Sequence, residues 1–381
     1  MGSAVVVKKV ENKKMMKEFI LVPWKLGIYD NDPAWVPPVI RDQKKLFDPK
    51  HGYFFEIGEA DFFIAYRDGK PVGRITAHIN RLYEEKYDMK TGFFGFYESI
   101  NDMEVAKALF DTAAERLSKW GKTVMQGPQS FSVYDSVGFE VHGFDITPVV
   151  GIFHFAAFYK DLAEACGFRK TIDWGCYLVT KENFMKFEPY LKKVREDYQS
   201  RQDVVYKTFN KKDKSEVKRR IQDIMTIFNS AWDGNWGHLP LTQKQLEYFV
   251  HELLPVIVPE FAVFAEKDGK TVGCILSVPD VNVALQALNG RLYPWRLIKA
   301  LRAVKKAKRI RTMIMGVLPE YRGQKIDDVF YLRTIEDGIR LGFEESDCSL
   351  IVENNVKMIG AIKPLNAVNY KTYRIYERDI K

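Results

Sequence analysis

The segment from Met313 to Lys325, MIMGVLPEYRGQK, combines a β-forming run with glycine, proline and arginine just before a predicted helix. Pro319 cannot donate a hydrogen bond to a strand ladder, so we expect the strand to end there. Backbone amides at the start of a helix lack partners within the helix, and the helix dipole adds a partial positive charge. Together with the charge of Arg322, these amides predict a site for an anion such as a phosphate.

Two halves of the chain repeat the order of elements that would position this segment. Asp61–Tyr66 and Val72–Ile79 flank an Asp-Gly turn and predict a β-hairpin. Phe261–Glu266 and Thr271–Val278 predict a second hairpin around another Asp-Gly turn. In each half a strand, a helix, a strand, a late helix and a final aromatic strand follow. This order predicts an α/β fold used twice, each time as a mixed, mostly antiparallel sheet flanked by helices.

The length of 381 residues suits two domains. We expect a first domain over residues 1–180, a connecting helix and linker over 181–215, and a second domain over 216–381. The first half has no counterpart of the loop between Gly316 and Gly323. The anion site is therefore expected in the second domain alone.

Composition and charge restrict the classes of function. The net charge of +8 attracts anions, including nucleic acid, acidic lipid and phosphorylated cofactors. No nucleic-acid recognition motif accompanies the basic runs, so no specific nucleic-acid partner is expected. The scattered cysteines and histidines predict reduced thiols and no metal site. The charged opening residues, and the lack of an apolar run long enough to span a bilayer, predict a cytoplasmic protein.

The loop resembles the cofactor motif of the GNAT acyl-CoA N-acyltransferase superfamily, in which a strand ending in V-x-P-x-x-R-G leads into a helix that binds the CoA pyrophosphate. Over nearly its whole length the chain resembles a group of bacterial tandem GNAT-like proteins, to which bacterial ceramide synthases are similar. The matching segments are Trp236-Gly237, Pro279–Asn282, Asn289–Leu292, Gly316–Gly323 and Tyr370–Tyr376, with Gly127-Pro128, Gly143–Asp145 and Gly167–Lys170 in the first half.

This resemblance implies an acyltransferase that moves an acyl group from a CoA thioester to an amine. Acyl-CoA would be a co-substrate, with no permanently bound cofactor. Bacterial ceramide synthases transfer a fatty acyl group to a sphingoid amine, so a long-chain donor and an acceptor of that type are implied. The alternatives are a non-catalytic acyl-CoA- or lipid-binding protein with a degenerate GNAT site, a nucleic-acid binder, and aminoacyl transfer from charged tRNA.

The resemblance also assigns the residues that contact the co-substrate. They are Gly316, Val317, Leu318, Arg322, Gly323, Gln324, Lys325, Ile326 and Asn355. Lys325 and Asp327 depart from the superfamily pattern, which has small residues there because glycine allows the backbone to approach a phosphate closely. Lys325 would add positive charge, whereas Asp327 would either oppose the anion or, with Asp328, favour the helix dipole.

Two carboxylates are candidates for the base that takes a proton from the amine. Asp280 comes after Pro279 at the end of one predicted strand, and Glu353 ends another, which is expected beside the strand that precedes Pro319. Each also has a structural interpretation, Asp280 as an Asx turn and Glu353 as a helix cap.

Other candidates would stabilise or protonate the reacting groups. Backbone amides from Gly316 to Leu318 are expected to bind the thioester oxygen. The tyrosine acid that the superfamily often has seven residues after Asn355 is replaced by Ile362, so either Tyr370, Tyr373 or Tyr376 substitutes for it or no acid is needed. His238 is a catalytic candidate with an open structural alternative.

The segment from Leu285 to Arg311 is an insertion between predicted strands. It interleaves apolar side chains with arginine and lysine, and Arg296 to Arg311 carries eight basic residues and no acid. A helix with one apolar and one cationic side suits an anionic membrane surface. The sequence therefore predicts peripheral membrane contact through 291–311 at the inner face, or a docked surface helix with a basic outer side. The first interpretation favours a long-chain donor or a lipid acceptor.

Overall fold

The computed structural model describes residues 3–186, 188–200 and 203–381. Its strands are β1 (Val6–Lys9), β2 (Gly58–Arg67), β3 (Lys70–Asn80), β4 (Thr91–Ser99), β5 (Val124–Gly127), β6 (Phe139–His142), β7 (Arg169–Thr180), β8 (Val205–Lys207), β9 (Ala262–Lys267), β10 (Lys270–Pro279), β11 (Arg309–Val317), β12 (Glu345–Asp347), β13 (Ile351–Val352) and β14 (Val368–Asp379). Its α-helices are α1 (Lys13–Lys25), α2 (Ile40–Leu46), α3 (Arg81–Lys86), α4 (Met103–Lys119), α5 (Tyr159–Ala165), α6 (Lys181–Lys186), α7 (Glu188–Ser200), α8 (Lys214–Ala231), α9 (Gln243–Leu253), α10 (Asn282–Leu288), α11 (Pro294–Val304), α12 (Ile326–Arg340) and α13 (Val356–Ile362). None of these helices is long and apolar enough to cross a membrane.

The described residues form two compact units. The first unit comprises the residues up to Trp174 together with Ala284–Leu301 and Lys371–Lys381, and the second comprises the residues from Gly175 to Val283 and from Arg302 to Tyr370. Residues 285–301 of the insertion before β11, and residues 371–381, thus belong to the first unit. The domain boundaries at residues 180 and 215 stay a prediction, because the units group residues by contact rather than by sequence repeat.

The first unit has a sheet in the order β1-β2-β3-β4-β5-β14. Its neighbouring strands are antiparallel except β4 and β5, which are parallel. Helix α4 begins at Met103, where the side chain of Asp102 caps it by accepting from the amide of Val105. The helix buries Leu109 and Phe110. The core around it is aromatic, with Phe110 stacked on Tyr97 at a centroid distance of 4.7 Å.

The second unit has a sheet in the order β8-β9-β10-β11-β12-β7. Only β11 and β12 are parallel among these neighbours. Ile326 and Phe330 of α12 pack against Val263, Val272 and Ile275 of the sheet. The order β9-β10-β11-β12 therefore repeats β2-β3-β4-β5, and the predicted α/β fold of two mixed, mostly antiparallel sheets is confirmed.

Both hairpins form because an Asp-Gly pair supplies two residues with positive φ. The φ angles are 50° and 72° at Asp68 and Gly69, and 52° and 77° at Asp268 and Gly269. A two-residue turn with both central residues in this region matches the twist of the flanking strands. The local signal is sufficient here, and both hairpins were predictable from it.

The strand predicted to end at Glu353 forms as the shorter β13, but its predicted position beside β11 was wrong. The neighbour of β11 is β12, and the shorter β13 pairs with β7 instead. Ile351 and Val352 are buried and have the composition of a central strand, whereas β12 places the fully buried Asp347 in the sheet. A buried aspartate is uncommon in strands, and this composition concealed β12.

A buried polar network ties several segments of the first unit together. The imidazole of His154 bonds to Glu140 through Nδ1 at 3.0 Å and to Asp32 through Nε2 at 2.8 Å. Lys371 forms an ion pair with the other carboxylate oxygen of Glu140, and both side chains are fully buried. Burial opposes protonation of His154, but the hydrogen bonds and charges of Glu140 and Asp32 outweigh it and raise its pKa above 6.5.

We expect replacement of His154 by glutamine to lower the free energy of unfolding more at pH 6 than at pH 9. A raised folded-state pKa contributes stability that is fully present below the unfolded-state pKa and is lost as the pH rises through the folded-state value. The loss at pH 6 should be about 1–3 kcal/mol. Urea unfolding at both pH values measures it, with H51Q as a control at an exposed histidine. Equal losses at the two pH values would contradict this assignment.

Candidate functional site

The candidate site begins where β11 and β12 separate. Pairing between them covers only Arg309–Arg311 and Glu345–Asp347. On its other side β11 stays paired with β10 up to Val317, with Met313 as an extra residue in the ladder opposite Leu276 and Ser277. Within the described residues, one edge of β11 is therefore not covered by a strand beyond Arg311.

Alternation along β11 decides which backbone groups face this open edge. The amide of Leu318 donates to the carbonyl of Val272 at 2.9 Å, so Leu318 and Gly316 face β10. The backbone groups of Met315 and Val317 consequently face the open edge. The sequence predicted amide donors from Gly316 to Leu318, and of these three only Val317 faces the open edge. Met315 was not predicted, because the sequence does not show which alternate residues of β11 pair with β10.

Side chains already bind the two carbonyls of the open edge. The indole of Trp232 donates to the carbonyl of Met315 at 3.0 Å. The guanidinium of Arg322 donates to the carbonyls of Val317 at 3.3 Å and Ala231 at 3.0 Å. The role of Trp232 was not predicted, since its position at the end of α8 suggested only packing.

Gly316 allows α8 to lie directly against β11. A Cβ atom at this position would be 2.9 Å from Ile227 Cγ2 and 3.0 Å from Ala231 Cβ. These distances are shorter than ordinary van der Waals contacts. The glycine predicted to approach a ligand therefore accommodates a helix of the same unit.

The loop between β11 and α12 keeps a glycine-like backbone conformation at Lys325. Its φ is 60°, in the left-handed region, and Gly323 has φ of 77°. The ammonium group of Lys325 is 2.8 Å from the carboxylate of Asp197. Gln324 accepts a hydrogen bond from Lys267 at 3.3 Å, and Ile326 is buried in the core. Lys325 thus replaces a small residue while its backbone retains the conformation that glycine favours.

A carboxylate lies at the first turn of α12, where the sequence predicts an anion site. Lys325 provides no side-chain cap for this helix, and Asp327 and Asp328 fill its first turn. Burial, and secondarily the charge of Asp328, raises the pKa of Asp327, while hydrogen bonds from the backbone amides of both aspartates act in the opposite direction. The protein's own carboxylate therefore interacts with amides that an external anion would use.

A loop after α8 connects the open edge with the start of α13. Asn355 caps α13 by accepting from the amide of Met358 at 3.1 Å, and its side-chain amide donates to Asn235 at 3.1 Å. Asn235 follows Trp232 in this loop, so the same loop touches Met315 and Asn355. The role of Asn235 was missed because the neighbouring His238 was the more conspicuous residue.

The structure places the predicted catalytic residues in different surroundings. Glu353 is exposed, two residues before Asn355. His238 is buried with its ring 5.5 Å from that of Phe228, which is consistent with the structural alternative. Asp280 accepts from the amide of Asn282 at 3.1 Å and so forms the Asx turn.

The predicted tyrosine Tyr373 belongs to the first unit, where its hydroxyl donates to the carbonyl of Phe153 at 2.7 Å. Tyr370 belongs to the second unit, and its hydroxyl donates to Asp347. Burial raises the pKa of both Tyr370 and Asp347. Ile362 is buried, so an apolar side chain stands where the superfamily often has an acid.

Arg311, Asp347 and Tyr370 form a buried cluster at the point where β11 and β12 separate. Arg311 donates through Nε and Nη2 to the carbonyl of Ser349, at 3.2 Å from each. Asp347 also accepts from the amide of Ser349 at 2.9 Å. Sequence reasoning missed this cluster, because an isolated Asp between Ser346 and Cys348 gives no motif.

A groove of about 370 Å³ lies elsewhere in the second unit, between α7 and the C-terminal half of α12. Its lining includes Leu191, Arg195, Glu336 and Ile339. None of the predicted site residues lines it. The groove therefore does not identify the candidate site, which consists of an open strand edge and a helix start.

Comparisons with known proteins found relatives by sequence and solved structures of similar fold. No protein-family model matches it. Protein YghO of Escherichia coli strain K12 is 31% identical over 376 residues, covering 97% of this chain and 94% of that protein. Bacterial ceramide synthase of Caulobacter vibrioides is 30% identical over 376 residues, covering 97% of this chain and 96% of that protein. A solved tandem GNAT protein from the clavulanic acid biosynthesis pathway has a TM-score of 0.57 and 12% identity, covering 99% of both chains.

We expect the K325G variant to be more stable than K325A. Both substitutions remove the exposed ion pair with Asp197, but only glycine adopts the left-handed conformation without a steric penalty. The difference in free energy of unfolding should be about 1 kcal/mol, measured by chemical denaturation. Alanine more stable than glycine would show that the loop does not hold this conformation in solution.

Proposed function

Since the chain belongs to the tandem GNAT family that includes bacterial ceramide synthase, we propose that it transfers an acyl group from a CoA thioester to an amine. The observation that carries this proposal is the open edge of β11 at Met315 and Val317, followed directly by the loop and the N-terminus of α12. An extended ligand containing amides can pair with such an edge as an added strand. The helix start then favours the phosphates of the same ligand.

The proposed reaction requires few protein groups. The amide of Val317 would donate to the thioester oxygen, where negative charge develops as the amine nitrogen attacks the carbonyl carbon. The amine proton passes to a base, the C–N bond forms, and the C–S bond breaks. The CoA thiolate leaves and takes up a proton from water, and the base returns its proton to water. We propose Glu353 as this base, because it is exposed and lies two residues before Asn355, which bonds to Asn235 of the loop after α8. Asp280 is held in a turn instead.

Binding by this route requires a local rearrangement. The carbonyls of Met315 and Val317 carry hydrogen bonds from Trp232 and Arg322. A ligand paired with the edge would displace these two side chains and donate to the same carbonyls through its own amides. The loop around Trp232 is therefore the part of the second unit that we propose to move when the co-substrate binds.

We expect D327N to bind CoA about fivefold more tightly than the unaltered protein at pH 7.5. The substitution removes a negative charge from the helix start, a change of about 1 kcal/mol in the affinity for an anion. Protonation of Asp327 has the same effect, so the advantage of D327N should shrink as the pH falls toward its raised pKa. Isothermal titration calorimetry with CoA measures both. The control is D328N, because the carboxylate of Asp328 already accepts a hydrogen bond from Tyr190. Tighter CoA binding by D328N alone would contradict the assignment.

We expect palmitoyl-CoA and a long-chain amine such as sphinganine to yield free thiol and amide in equal amounts. E353Q should lower kcat about 10²–10⁴-fold, because it removes a general base, while D280N should retain most activity. Thiol release is measured with a chromogenic disulfide and the amide by mass spectrometry. Acyl-CoA binding without thiol release, for a range of amines, would instead support a non-catalytic acyl-CoA-binding protein, an alternative that the carboxylate of Asp327 favours.

A further inference from the structure

The insertion of the first unit exposes an apolar surface. This outer face consists of Leu292, Tyr293, Trp295, Leu297, Ile298 and Leu301. Trp295 is 65% exposed and Leu301 is 67% exposed, whereas Ala300 on the same helix is buried. At about 100° per residue, Trp295, Ile298 and Leu301 lie on the side of α11 that faces away from Ala300. The helix therefore packs through a small residue and directs its large apolar residues into solvent.

The outer face is held in place by contacts within the first unit. Asn289 accepts a hydrogen bond from the indole of Trp24 at 2.7 Å, and the carbonyl of Gly290 accepts from the amide of Ile40 at 3.0 Å. A Cβ atom on Gly290 would lie 2.5 Å from the Trp24 ring. Gln286 donates to the carbonyl of Pro33 at 2.8 Å. The exposed residues thus extend from an anchored turn.

The elements that carry and adjoin the outer face expose several cations. The chain has no acidic residue between Asp280 and Glu320. Arg291 and Lys299 are exposed within the insertion. Helix α2, whose first amide bonds to Gly290, adds exposed Arg41 and Lys44 together with one partly buried acid, Asp42. An apolar centre with a basic margin is complementary to a surface that offers anionic groups above an apolar interior.

We propose that this outer face docks on an anionic lipid bilayer, with α11 lying in the plane of the interface. Indole and phenol rings favour the boundary between headgroups and acyl chains, and Tyr293 stacks on Trp295 with ring centroids 4.8 Å apart. Leu301 and Ile298 would enter the acyl region, while Lys299 and Arg291 would meet the lipid phosphates.

The proposal does not depend on acyl transfer, since docking requires no CoA thioester. If both hold, a long-chain amine dissolved in the same bilayer would be within reach of the docked protein. The docking test therefore uses vesicles without any acyl-CoA, and its failure would leave the test of thiol release unaffected.

Sedimentation of the full chain with large vesicles tests the proposal. Anionic vesicles of phosphatidylcholine with about 30% phosphatidylglycerol are compared with vesicles of pure phosphatidylcholine. We expect binding to the anionic vesicles that weakens with added salt. The affinity of the double variant W295S/L301S for these vesicles should fall by about tenfold or more, and that of K299Q by about fivefold. Circular dichroism melts confirm that each variant is folded.

The matched control is V356S, because Val356 is 74% exposed and lies on α13 of the second unit. It removes an equally exposed apolar side chain and should leave vesicle binding unchanged. No binding to anionic vesicles, or equal losses in V356S and W295S/L301S, would overturn the proposal. So would a dimer in light scattering that W295S/L301S dissociates, because the outer face would then bind a second copy of the chain.

Discussion

The buried ionic cluster at the end of β12 determines how the second unit is organised. Asp347 and Arg311 both bind Ser349, through its amide and its carbonyl respectively. Buried charges are costly unless they are paired and hydrogen-bonded, so this arrangement tolerates little variation. The chain is thereby directed away from β11 after Asp347 and continues along β7 through β13. The open edge of β11 is a consequence of this change of direction.

Close packing of α8 and of the loops that follow α8 and β11 positions the residues around the open edge. Gly316 lets α8 approach β11, which brings the end of α8 and Trp232 to the edge. The loop after Trp232 reaches Asn355, and Arg322 binds the end of α8. A ligand at this edge would therefore be enclosed by residues distant in sequence. The same contacts occupy the carbonyls of this edge in the structure.

Local signals made much of this fold predictable. The Asp-Gly turns, the periodic helices and the loop from Gly316 to Gly323 require only neighbouring residues for their interpretation. The ladder phase that places Met315 and Val317 on the open edge depends on pairing with β10, and the cluster at Asp347 depends on residues from three segments. Neither has a local signal. Lys325 is an intermediate case, because the motif predicted a small residue and the backbone kept the corresponding conformation without it.

Amide hydrogen exchange at Met315 and Val317 tests the central claim, that the open edge of β11 binds the acyl-CoA chain. Exchange is measured by mass spectrometry with residue-level fragmentation, in the presence and absence of saturating palmitoyl-CoA. The account predicts slower exchange at these two amides on binding, while those of Gly316 and Leu318, which face β10, change little. Protection elsewhere in the protein with unchanged exchange at Met315 and Val317 would contradict it.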